Sequence, residues 1–185
     1  MSFLDRIFGP KTDPEKAALL PLYDRIVEKA RAPHWYRDGH VPDTLDGRFE
    51  MVAAILSLLL IRLEQADGDA KYGVYLTEIF VDDMDGQLRE IGIGDMLVGK
   101  HIGKLMSALG GRLTAYRKGL SNKSEMRAAI ARNIDTLDKS QTAAGDKGAA
   151  SGDLALDYLT QEFFAEKDAM DAVATQKLLS GKVAW

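Results

Sequence analysis

Three observations predict an all-α fold. Apolar residues recur at helical spacing in segment after segment, no stretch alternates as a strand would, and one run is apolar on every face. That run, Met51 to Ile61, carries Ser57 as its single polar side chain and is bracketed by Glu50 and Arg62. It is too short to cross a bilayer, which takes about 20 apolar residues. It is expected instead to be a central buried helix, over about residues 48–64, with the other helices packed around it. A chain of 185 residues suits one domain with a sizeable core.

The composition, 46% hydrophobic and 28% charged, is that of an ordinary globular chain. The formal net charge of −4 argues against nonspecific nucleic-acid binding as the main task, and no nucleic-acid partner is expected. The absence of cysteine excludes disulfides, thiolate metal sites and cysteine nucleophiles. Residues 1–10 resemble neither a secretory signal nor a transit peptide, so a cytoplasmic location is expected.

In chain order, residues 1–11 form a short amphipathic segment in which Phe3, Leu4, Ile7 and Phe8 share one side, and residues 12–185 form the helical domain. The segment reads either as a turn docked on the domain or as a foot touching the inner face of the membrane. Thr12 and Asp13 compete as N-cap ahead of Pro14 and Glu15. Ala18, Leu19, Leu22, Tyr23, Ile26, Val27 and Ala30 then mark a helix ending before Pro33. His34 to His40 is aromatic and polar and is expected to be irregular, and Pro42, Asp43, Asp46 and Gly47 punctuate a polar turn before the central helix. After a turn at 66–69, Leu76, Ile79, Phe80, Met84, Leu88 and Ile91 form one stripe of the next helix. Glu78, Asp82 and Asp85 line another, with Arg89 four residues beyond Asp85 and able to pair with it.

The helix breaks at Gly92-Ile93-Gly94. Asp95 or a neighbour caps the next, which runs through Ile102, Leu105, Met106, Leu109, Leu113 and Tyr116 and is made basic by Lys100, His101, Lys104, Arg112, Arg117 and Lys118. Ser121 or Ser124 opens a shorter helix through Met126, Ile130, Ile134 and Leu137. Residues 139–153 read as a flexible loop. A final long helix carries Leu156, Leu159, Phe163, Met170, Val173 and Leu178, ending at Gly181.

Motifs for chemistry are weak. Gly94 to His101 nearly matches a phosphate loop, but His101 stands where a hydroxyl would hold magnesium, Asp95 puts a carboxylate in an anion cradle, and no buried strand precedes it. Asp82-Asp83-Met84-Asp85-Gly86 fails as a calcium loop because Val81 and Gly92 fall at ligand positions. Its likeness to the Asp-rich helices of magnesium-dependent isoprenoid enzymes is off by one residue, against the simpler reading of a solvated acidic face. His34 and His40 match no familiar metal spacing. No catalytic, cofactor-binding or metal-binding residue is assigned.

Taken together, Val41-Pro42-Asp43-Thr44-Leu45-Asp46-Gly47-Arg48-Phe49-Glu50-Met51, Phe80 to Asp85, Leu88 to Asp95, Val98-Gly99-Lys100 and Gly111 to Tyr116 resemble the hallmark blocks of the ubiquinol–cytochrome c chaperone family. They occur in that family's order and cover roughly Leu22 to Ile134. Gly181 to Trp185 is a less specific match. The resemblance implies a helical assembly factor for the cytochrome bc1 complex, not an enzyme, whose client is newly made cytochrome b. Mitochondrial members carry an N-terminal extension that is missing here, so the chain looks like a bacterial form, and their small partner protein and ribosome contact are not carried over.

For such a role a surface of mixed charge is needed. The candidate client-binding residues are Asp43, Asp46, Arg48, Glu50, Asp82, Asp83, Asp85, Arg89, Lys100 and Arg112. The competing reading of Arg48 with Glu50, and of Asp85 with Arg89, is ion pairing that holds the bundle together. An alternative function is a small-molecule or lipid-binding protein that uses the bundle interior.

Overall fold

The computed structural model describes residues 13–65, 70–134, 146–182 and 185. Among these, nine helices and no strand occur: α1 (Pro14–Ala17), α2 (Leu20–Ala30), α3 (Pro33–Arg37), α4 (Leu45–Glu64), α5 (Ala70–Glu90), α6 (Asp95–Gly119), α7 (Lys123–Asn133), α8 (Asp146–Asp171) and α9 (Thr175–Leu179). The all-α bundle is as expected. The segment 1–11 with Phe3, Leu4, Ile7 and Phe8, the turn at 66–69 and Leu137 lie outside the described residues.

The bundle is built on α4. Thr44 caps it, its hydroxyl accepting from the Gly47 N–H at 3.2 Å, and Asp46 places negative charge in the first turn. Every residue from Met51 to Ile61 is buried, Ser57 by returning its hydroxyl to the Ala53 carbonyl at 2.6 Å. Such a helix needs neighbours on all sides, and α2, α5, α6 and α8 supply them. Tyr116 and Trp35 each meet Phe163 edge-on, with ring centroids 5.5 and 5.9 Å apart, locking α6 and α3 to α8. No helix among the described residues is long and apolar enough to cross a membrane.

Local departures from expectation have identifiable causes. The single helix expected before Pro33 is divided into α1 and α2, because Pro21 has no N–H to continue the ladder and Leu19 N–H turns to the Lys16 carbonyl at 3.1 Å. The segment expected to be irregular after Pro33 contains α3. Its side chains close the end of α2: Trp35 Nε1 donates to the Lys29 carbonyl at 2.7 Å and the Tyr36 hydroxyl to the Ala30 carbonyl at 2.8 Å. These are carbonyls that the helix itself leaves without partners.

Ile91 leaves the apolar stripe of α5 and is 53% exposed, since α5 ends at Glu90. Asn122, not a serine, caps α7, accepting from Ser124 and Glu125 N–H. The loop expected over 139–153 is helical from Asp146 onward. There Arg127 of α7 reaches the Asp153 and Asp157 carboxylates at 2.6 and 2.7 Å and holds the early turns of α8. The final helix is interrupted at 172–174, and α9 follows.

Candidate functional site

Two charged clefts flank α2. The first, of about 710 Å³, lies between α1, α2 and α5 and is lined by Asp13, Lys16, Ala17, Leu20, Tyr23, Asp24, Glu78, Ile79, Asp82 and Asp83. Lys16 bridges Asp82 at 2.9 Å and Glu78 at 3.2 Å, and these carboxylates raise its pKa, the Asp82 hydrogen bond most. The Tyr23 hydroxyl donates to Asp83 at 2.8 Å, and Gln87 donates to the same carboxylate at 2.9 Å. Burial, reinforced by Asp83, pushes the Tyr23 hydroxyl well above the phenol range. Asp13 caps α1 and accepts from the Tyr75 hydroxyl at 2.7 Å, which holds its carboxyl below the usual range. Five carboxylates thus face one lysine, beside a Leu20 side chain that is 48% exposed.

The second cleft, of about 470 Å³, is lined by Arg31, Pro33, Tyr36, Arg37, Asp43 and Arg48. Arg31 comes from the end of α2, Arg37 from α3, and Asp43 and Arg48 from the entry to α4. They converge because Trp35 and Tyr36 fold α3 back on α2. Arg48 Nε donates to Asp43 at 2.6 Å, which lowers the Asp43 pKa, and Arg37 makes a two-pronged pair with Asp38 at 2.8 and 2.6 Å, which lowers that of Asp38. Burial raises the Tyr36 hydroxyl, and Arg48 draws it part-way back. The Arg31 guanidinium has no hydrogen-bond or ion-pair partner among the described residues.

The ten candidate residues therefore do not form one patch. Asp82 and Asp83 belong to the acidic cleft, Asp43 and Arg48 to the arginine cleft, and Asp46 is exposed on the first turn of α4. Asp85 pairs with Arg89, which also binds Asp95 across the α5–α6 turn, and Lys100 is exposed on α6.

Arg112 is a correction. It reads from the sequence as part of a basic surface, yet it is buried, donating to the Asn133 carbonyl at 2.8 Å with Glu50 3.9 Å away. It is a packing group, and its Nε has no partner among the described residues. Beside it the fully buried Tyr116 hydroxyl has none either. Burial drives the Tyr116 pKa far up, and Arg112 partly offsets this.

The Asp-rich run divides in the same way, because Asp82, Asp83 and Asp85 each have a different partner. No group of three or more His, Asp or Glu side chains that could hold a metal ion lies among the described residues. The clefts above open at the surface, and neither is the interior pocket that the ligand-binding alternative requires. Lys16, Leu20, Tyr23, Arg31 and Arg37 were missed in the sequence. Only the Pro33-X-Trp35-Tyr36 punctuation hinted at the corner that gathers the arginines.

The sequence profile of the ubiquinol–cytochrome C chaperone family matches residues 37–185. The chain belongs to this family. Its fold is similar to that of a Cbp3 homolog from Brucella abortus, seen in a crystal structure. The TM-score is 0.72 and the identity 27%, over 97% of this chain and 94% of that one. No curated protein matches the chain. Of the family blocks, Val41–Met51 supplies Asp43 and Arg48 of the arginine cleft, and Phe80–Asp85 supplies Asp82 and Asp83 of the acidic one.

Proposed function

We propose that the protein is an assembly chaperone of the cytochrome bc1 complex that binds newly made cytochrome b. The observation that carries this reading is the family match over residues 37–185, joined to a Cbp3-homolog fold spanning nearly the whole chain. The role is one of binding, not catalysis.

The acidic cleft is the first candidate for client contact. Polytopic membrane proteins carry an excess of Lys and Arg in their cytoplasmic loops. A cleft of carboxylates with Leu20 and Ile79 in its wall offers such a loop both charge and apolar contact. Charge of this kind sets encounter and register more than affinity. Asp85, Arg89 and Lys100 extend the charged surface along α5 and α6. Asp43, Asp46 and Arg48 are further candidate contacts at the entry to α4. The protein works from the cytoplasm, with Phe3, Leu4, Ile7 and Phe8 as its contact with the inner face of the membrane.

The test is the bc1 content of membranes from a strain lacking the gene, read from reduced b- and c-type haem spectra. Selective loss of b-type haem, restored by the wild-type gene, is expected; normal bc1 content rejects the chaperone reading. Complementation with the double variant Asp24→Lys, Asp82→Lys examines the cleft separately. Full rescue by a normally melting double variant would remove the cleft from the client face and leave the chaperone role intact.

A further inference from the structure

The arginine cleft carries a chemistry opposite in sign to that of the acidic cleft. Three guanidiniums, those of Arg31, Arg37 and Arg48, line one recess of about 470 Å³ and face a single lining carboxylate, Asp43. They do so in a chain whose formal net charge is −4, so the positive recess runs against the charge of the molecule.

The three are not equally occupied. Both carboxylate oxygens of Asp38 hold Arg37, and Arg48 gives Asp43 its Nε, whereas Arg31 has no partner among the described residues. Arg31 and the terminal nitrogens of Arg48 are thus available donors in one recess, with Tyr36 also in its lining. A guanidinium fork matches the oxygens of phosphate or carboxylate. One fork engages both oxygens of a planar carboxylate, while a tetrahedral phosphate offers further oxygens to donors arriving from other directions. The recess also exceeds the volume of one phosphate group, and Pro33 and Tyr36 give the remaining space an apolar wall.

We propose that this cleft is a binding site for a phosphate-type oxyanion, held by Arg31 and Arg48 with Arg37 as a supporting charge. The group is either free phosphate or the phosphate of a lipid headgroup. The site does not use the acidic cleft, the first candidate for client contact, and its leading residue, Arg31, is not among the candidate client contacts.

The test uses the full chain in chloride buffer at fixed ionic strength, titrated calorimetrically with inorganic phosphate. In parallel, the protein is floated with phosphatidylcholine vesicles with and without phosphatidic acid. Arg31→Gln is the leading variant because it breaks no hydrogen bond or ion pair among the described residues, and Arg48→Gln is the second. Lys123→Gln, on α7, controls for net charge. Loss of one charge-assisted fork is expected to weaken binding about tenfold in each arginine variant, with the control unchanged.

Phosphate binding with that pattern supports the site and identifies free phosphate as sufficient. Capture by phosphatidic acid vesicles alone, lost in the arginine variants, supports it with the lipid headgroup as source. Binding of neither probe overturns the proposal, and so does a control variant that weakens binding as much as the arginine variants do.

Discussion

Gly47→Ala and Gly103→Ala should move stability in opposite directions, although both replace a helical glycine. Alanine in a helix interior is favoured over glycine by about 1 kcal/mol. At Gly103, on the solvent side of α6, an added methyl meets nothing within 4 Å, so the gain should appear nearly undiminished.

At Gly47 the methyl would overlap the carbonyl oxygen of Pro42 and lie 3.1 Å from its carbon, both of them backbone atoms that cannot rotate aside. Overpacking of this kind costs about 1–3 kcal/mol. Displacing the first turn of α4 also strains the Thr44 cap, worth about 1 kcal/mol. Against the propensity gain, the net loss is about 2 kcal/mol. For a chain of this size that lowers Tm by about 4–8 °C, while Gly103→Ala should raise it by about 2–4 °C. Thermal melts followed by circular dichroism at 222 nm decide the matter. If Gly47→Ala melts at or above the wild type, the close approach of Pro42 to α4 is wrong, and with it the geometry placing Asp43 beside Arg48.

Three further outcomes follow from the core and the surface pairs. Arg112→Leu should cost about 2 kcal/mol in urea unfolding, because it leaves the Asn133 carbonyl without its donor and removes the guanidinium 3.9 Å from Glu50; a change below about 0.5 kcal/mol would show that these contacts contribute little. Tyr116→Phe should be neutral or stabilising by up to about 1 kcal/mol, since the buried hydroxyl lies beside Arg112 but has no well-formed hydrogen bond to lose. A clear destabilisation in the same assay contradicts that. Stability should also fall in acid. The carboxyls of Asp13, Asp38 and Asp43 are all held below their ordinary values by their partners. A lowered folded pKa contributes stability that is present above the unfolded value of about 3.9 and lost as pH falls through the folded one. Tm should therefore be flat from neutrality to about pH 5 and decline below about pH 4, less steeply in Asp43→Asn; an acid limb of unchanged slope in that variant refutes the contribution of the Arg48 pair.

What could be read from the sequence was whatever one segment determines alone. The unbroken apolar run of α4 demanded burial whatever its neighbours were, and the stripe from Leu76 to Leu88 placed α5 on the core. Features needing two segments were hidden. Arg112 shares its helix with Lys100, Lys104 and Lys118 and has no local mark of burial; only the arrival of Glu50 from α4 and Asn133 from α7 makes its position tenable. Ile91 continues the α5 spacing perfectly but falls one residue beyond the end of the helix, where spacing no longer fixes direction. The arginine cleft was illegible for the same reason, because Arg31, Arg37 and Arg48 have no periodic relation until α3 folds back on α2. Lys16 likewise carries no local mark of its role, because Glu78 and Asp82 reach it from α5.

Gly181 adopts a left-handed φ of +64°, and a side chain there would press on the backbone of Pro21 and Leu22, with the Pro21 carbonyl oxygen 2.7 Å from its first carbon. Trp185 lines a cleft with Arg25, Glu28, Lys29, Ala32 and His34. Early and late parts of the sequence are thus sealed against each other. This seal has a kinetic consequence. Contacts between residues so far apart close late, after loop-closure entropy has been spent on nearer ones. During synthesis α2 must wait, one face bare, until residues around 181 have left the ribosome.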